Sequence, residues 1–116
     1  MANTEKNVAV PAETEVLEAE VLDARNVVEL TKPVDGKERI VLDFDKLTGG
    51  TLIKCATEAK KTDPAIIQFE LSKTYQAHVA AAAAGLRYDD ILGLAAPDFV
   101  AVTLRVQNFL FGNVAG

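Results

Sequence analysis

The hydrophobic period of this chain changes once, at Gly49-Gly50, and that change limits the folds open to it. Before it, Val28 and Leu30 alternate with Glu29 and Thr31, and Ile40, Leu42 and Phe44 alternate with Val41, Asp43 and Asp45. Alternation of this kind predicts a β-hairpin with one apolar face. Beyond Gly49-Gly50 the apolar spacing is helical to the end. Two strands are marginally stable alone, so the hairpin must rest on the helices or join another sheet edge. The predicted fold class is therefore α+β, an N-terminal β-hairpin packed on about four α-helices.

The turn bears on the register. With a two-residue Asp35-Gly36 loop and an unbroken ladder, Leu30 falls opposite Val41 and the two apolar rows point to opposite faces. A three-residue Val34-Asp35-Gly36 loop pairs Leu30 with Ile40 and Val28 with Leu42, and puts Gly36 where a left-handed backbone is needed. The three-residue loop is the expectation.

Leu52, Ile53, Ala56 and Ala59 or Lys60 trace a first helix that ends near Lys60-Lys61-Thr62. Asp63 as N-cap and Pro64 at the first helical position predict a second, through Ile67, Leu71, Tyr75, His78 and Ala82 to a stop at Gly85. Asp89 and Asp90 open a short helix over Ile91 to Ala95, and Pro97 starts the last, carrying Phe99, Val102, Val106 and Phe109 to Gly112.

At 116 residues, 49% hydrophobic and 25% charged, the chain has the composition of one globular domain able to bury a core without a disulfide or metal staple. Its single cysteine, Cys55, cannot form an internal bridge. The longest uncharged stretch, Thr74 to Leu86, is shorter than the about 18 apolar residues a membrane span requires, so no membrane association is expected. Glu5 and Lys6 stand where a secretory signal would begin, and no apolar core follows before Val27, which predicts a cytoplasmic protein.

Most of the net charge of −5 lies in residues 1–26, where Glu5, Glu13, Glu15, Glu18, Glu20 and Asp23 face only Lys6 and Arg25. This stretch reads as a flexible, disordered acidic arm, although Val16, Leu17, Val21 and Leu22 could form a short helical stripe on contact with something. Residues 27–112 then form the single α+β domain and 113–116 a short tail. The basic residues are scattered, apart from Lys60 and Lys61, and offer no stripe for a phosphate backbone, which excludes nucleic acid as an expected partner.

No catalytic constellation emerges. His78 has no Cys, Asp or Glu three or four residues away on its helix, so it reads as a packed, hydrogen-bonded histidine and not as a metal ligand or base. Cys55 reads as a core thiol despite Lys54 beside it. Asp89 and Asp90 suit the start of a helix, where both are favoured by the dipole. Gly49-Gly50 lacks the Lys-Ser/Thr ending of a phosphate loop, and Ser72 has no nucleophile elbow around it. The chain is expected to be no enzyme and to carry no metal or cofactor.

Apolar surface remains. The last helix carries Phe99, Val102, Val106 and Phe109 on one side and Val100, Leu104 and Phe111 on another, so it is either central to the core or pressed between subunits. On the second helix Ile66 and Phe69 lie opposite the Ile67, Leu71 and Tyr75 stripe, and the run Ala80 to Ala84 permits close helix approach within or between chains. Ile66, Phe69, Phe99, Phe109, Leu110 and Phe111 are the candidate partner-binding residues.

Several words of sequence resemble the tail assembly chaperones of contractile-tailed, Mu-like and related phages. They are Val28-Glu29-Leu30-Thr31-Lys32-Pro33 with Asp35-Gly36, Leu47-Thr48-Gly49-Gly50-Thr51-Leu52-Ile53, Gly85 through Leu94, and Asp98-Phe99 with Val106 through Gly112. The chain departs from the pattern at Thr51, where many relatives are acidic, and in its acidic arm. The resemblance implies a helper of tail morphogenesis in the cytoplasm of a bacterial host. Such a helper binds the tape measure protein, helps recruit tail tube protein, self-associates, and is absent from the finished virion. It also implies a longer, frameshifted form made near the end of the gene. The alternative is a small structural tail component or adaptor retained in the particle.

Overall fold

A computed structural model describes residues 26–112. The acidic-arm reading of residues 1–25 and the tail reading of 113–116 lie outside the described residues. Strands β1 (Val27–Val34) and β2 (Lys37–Val41) form an antiparallel hairpin, followed by a 3-10 turn over Phe44–Lys46. Four helices come next: α1 (Gly49–Thr62), α2 (Lys73–Ala84) after a second 3-10 turn at Phe69–Leu71, α3 (Tyr88–Leu92) and α4 (Ala96–Leu110). The α+β architecture, a two-stranded hairpin packed against four helices, is as the periodicity predicts. Among the described residues no helix is long and apolar enough to cross a membrane.

The hairpin register differs from the expected one. Asp35 and Gly36 have φ of 51° and 75° and form a two-residue turn that leaves Val34 opposite Lys37. The ladder is then broken, so that Leu30 to Pro33 stand against Glu38 alone, and pairing resumes with Glu29–Arg39, Val28–Ile40 and Val27–Val41. Neither Leu30–Ile40 nor Val28–Leu42 is a pair. The bulge inserts an odd number of residues, which turns the apolar row of β1 back to the face of β2's. Val28 and Ile40 are both buried, and Leu42 beyond them is fully so. Outside, Glu29 pairs with Arg39 at 3.2 Å.

A partner distant in sequence holds the bulge. Pro33 has no N–H to give a ladder, and the amides of Thr31 and Lys32 donate instead to the Asp98 carboxylate on the first turn of α4. Thr31 N lies 3.1 Å from Oδ1 and 2.9 Å from Oδ2, and Lys32 N lies 3.3 Å from Oδ2. The Thr31 hydroxyl adds a bond of 3.0 Å.

Helix α1 begins with a capping box made by two threonines: Thr48 Oγ1 accepts from Thr51 N–H at 3.2 Å, and Thr51 Oγ1 accepts from Thr48 N–H at 3.4 Å. Thr51 thus fills the role an acidic residue usually has at that helix position. At the other end Asp63 closes α1 by donating its N–H to the Ala59 carbonyl.

Asp63 therefore does not start the second helix. Its Oδ1 accepts from Ala65 N–H, and its carbonyl accepts from Ile66 N–H, in a turn that carries the chain away. Helix α2 starts at Lys73, where Ser72 Oγ accepts from Tyr75 N–H at 3.1 Å. Without a helix over 64–72 the expected Ile67–Leu71–Tyr75 stripe does not exist. Ile66 and Tyr75 are buried, Ile67 is 95% exposed and Leu71 is 53% exposed.

Helix α2 is the hub, in contact with α1, α3, α4 and β2. Tyr75, Gln76, Ala77, Val79, Ala80, Ala81 and Ala83 are all buried, so the alanine run serves close approach within the chain. Gln76 Nε2 donates to the Glu70 carbonyl and to Gln107 Oε1, tying the 3-10 turn and α4 to it. The helix ends at Gly85, as expected, with φ of 69°. Helix α3 lies three residues before its predicted span of Ile91 to Ala95 and ends at Leu92; its Asp90 accepts from Arg87 N–H and pairs with the Arg87 guanidinium, the helix-start role expected of it. Helix α4 buries Val102, Thr103 and Val106 and stacks Phe109 on Phe44, with ring centroids 4.3 Å apart.

Candidate protein-interaction surface

Among the described residues, two apolar surface features bear on partner binding. The first is the outer face of α4. Val100 and Leu104 are one helical turn apart, Phe111 follows on the same side, and the three are 55%, 48% and 45% exposed. The 3-10 turn that packs on α4 ends in exposed Leu71, and Ile67 precedes it.

The second is a groove of about 600 Å³ beside α1. Leu52, Ile53 and Ala56 form its helical wall, Phe69 and Tyr75 face them, and Thr57, Lys60 and Lys61 complete the lining. Phe69 meets Tyr75 edge-on at 5.5 Å, and Lys60 Nζ lies 5.7 Å from the Phe69 ring while donating to the Ile66 carbonyl. Burial raises the Tyr75 phenol above its ordinary value, with Cys55 and Glu70 adding to the shift. It stays a neutral hydroxyl on an apolar wall.

A smaller recess on the other side of α1 brings Cys55 and His78 together with Lys54 and Glu58. Burial raises the Cys55 thiol against the opposing pull of Lys54, so the thiolate is disfavoured. Burial also lowers His78, with Glu58 opposing, and keeps the imidazole neutral. The ring stacks on Tyr88 at 3.8 Å. His78 is packed as expected, and its buried Nε2 makes no hydrogen bond among the described residues. Among the described residues no cluster of three His, Cys, Asp or Glu side chains is placed to hold a metal ion.

The candidate residues occupy different places. Ile66 is buried, Phe69 lines the groove, Phe99 and Leu110 are half-buried against the core, and Phe109 is stacked on Phe44. Phe111 alone of the six is exposed on the α4 face. Val100 and Leu104, its companions there, were recognisable on the helical wheel as the side opposite the core. Ile53, on the expected apolar trace of the first helix, is 70% exposed.

The described residues form an α+β domain with an apolar helix face and an apolar groove on its surface. No protein-family model matches the chain, nor does any curated protein or solved structure.

Proposed function

We propose that the protein is a non-enzymatic phage tail assembly chaperone, working in the bacterial cytoplasm and absent from the mature virion. In this reading the outer face of α4 receives an apolar stripe of the tape measure protein, a long helical client that would otherwise aggregate, and the complex recruits tail tube protein. The observation that carries it is the exposed Val100–Leu104–Phe111 row on a helix whose opposite side is fully engaged in the core. Such a row is what a helix-in-groove or helix-on-helix contact uses. The resemblance of sequence words between Val28 and Gly112 to the chaperone family supplies the choice of client.

The test is to express the native gene region with its downstream sequence and an N-terminal tag, and to analyse both the cell extract and purified particles by mass spectrometry. A minor longer product diverging near residues 109–116, with neither form in the particles, is the expected result. Stoichiometric retention in the particles would instead identify a structural tail component or adaptor.

A further inference from the structure

The groove beside α1 combines apolar walls with polar groups of one kind. Leu52, Ile53 and Ala56 line it from α1, and Phe69 and Tyr75 face them. The polar side chains free to engage something in it are donors. Lys60 and Lys61 belong to the last turn of α1. Lys61 is paired with Glu58 on the exposed surface, at 3.0 Å. Lys60 Nζ is held 5.7 Å from the Phe69 ring centroid by its bond to the Ile66 carbonyl, and no carboxylate among the described residues meets its charge. The Thr57 hydroxyl has already given its hydrogen to the Ile53 carbonyl.

Tyr75 adds an independent signal. It is only 6% exposed, yet its hydroxyl has no hydrogen-bond partner among the described residues and is not one of the polar atoms that the fold shuts away from solvent. The O–H therefore opens on the groove that Tyr75 lines, beside the Phe69 ring that it meets edge-on at 5.5 Å. A buried tyrosine normally finds an acceptor for its hydroxyl within the protein. Here the acceptor has to come from whatever fills the groove.

We propose that the α1 groove binds a small amphipathic carboxylate of the medium-chain fatty-acid type. The apolar tail lies along Leu52, Ile53, Ala56 and Phe69, and the head is recognised by the two donors that border Phe69, the Tyr75 hydroxyl and the Lys60 ammonium. Donors without a competing acid select an anionic head over a cationic or neutral one. The volume, about 600 Å³, lies within the range of small-molecule sites, about 300–1,000 Å³. The inference goes beyond the chaperone reading and does not rest on it, since no residue of α4 lines the groove.

Titration of the full chain with decanoate, followed by calorimetry and by backbone amide NMR shifts, tests it, with decanol as the uncharged counterpart. Expected are saturable binding at one site, shifts centred on Ile53, Ala56 and Phe69, and decanoate at least about threefold tighter than decanol. Tyr75→Phe keeps the ring and removes a hydroxyl that bonds nothing in the protein, so the thermal midpoint should hold while decanoate affinity falls roughly tenfold. Ile53→Asp, a change at an exposed wall position, should also weaken decanoate by at least about tenfold. Absence of saturable binding, or shifts as large at Val100 and Leu104 as in the groove, would overturn the proposal. So would decanol binding as tightly as decanoate, or undiminished affinity in Tyr75→Phe.

Discussion

Asp98 and Thr31, far apart in sequence, are joined by three hydrogen bonds: the Thr31 amide donates to both carboxylate oxygens and its hydroxyl donates to one of them. With the Lys32 amide they give two backbone donors of the β1 bulge an acceptor outside the ladder. The contact fixes the register of the hairpin, the face on which Val28 lies, and the docking of α4, which presents the Val100–Leu104–Phe111 row. Asp98→Ala removes the shared acceptor of the Thr31 and Lys32 amides and of the Thr31 hydroxyl, and should lower the thermal midpoint by about 5 °C.

The same carboxylate makes stability depend on pH. Burial pushes the Asp98 carboxyl up, but the amides of Thr31 and Lys32 and the Thr31 hydroxyl outweigh burial and hold it below its ordinary value. A lowered folded value means that its contribution is fully present above the ordinary carboxylate range, about 4, and is lost as pH falls through the folded value. The urea midpoint of the wild type should exceed that of Asp98→Asn at pH 7, and the gap should close in acid. A gap independent of pH would show that the ionised carboxylate is not what holds the bulge.

Gly36 should tolerate no side chain for a purely backbone reason. A Cβ there meets nothing within 4 Å, yet φ is +75°. Gly36→Ala should cost about 1 kcal/mol in chemical denaturation. Gly49, at the start of α1 and equally open, lies outside the left-handed region. Gly49→Ala should be neutral or stabilising by up to about 1 kcal/mol.

Buried and exposed apolar residues should separate stability from binding. Ile91→Ala, at a fully buried site, should cost about 2–5 kcal/mol. Leu104→Lys, on the outer face, should change stability by no more than about 0.5 kcal/mol.

Cys55 should be inert. Its thiol is buried and raised, so a disulfide reagent at pH 8 should react at least about tenfold more slowly with the native chain than with the unfolded one. Fast reaction in the native state would mean that the recess holding Cys55 and His78 opens readily.

Local signals were the legible ones. The break in period at Gly49-Gly50, the αL stop at Gly85, the helix-start role of Asp90 and the two-sided apolar pattern of α4 each depend on neighbours within a turn or two. The β1 bulge was hidden because it depends on Asp98, which in sequence reads only as a first-turn acid of α4. Asp63-Pro64 looked like a helix start because capping residues serve either end of a helix, and here the Asp63 amide was already engaged by Ala59. That error put Ile67 inside and misplaced Ile66. The choice of Phe99 and Phe109 over Val100 and Leu104 as candidate contacts favoured aromatic size over wheel position, whereas the Phe44 ring already occupies one face of Phe109.

The central claim is that the α4 face receives the tape measure protein. The direct measurement is co-expression of that protein with wild-type chain, with Leu104→Lys and with Lys37→Ala, a surface control on the hairpin, reading the soluble fraction and co-purification on a tag. Soluble complex is expected with the wild type and the control, and loss of both solubility and co-purification with Leu104→Lys while that variant remains folded. Undiminished complex with Leu104→Lys, or no complex with the wild type, would contradict it.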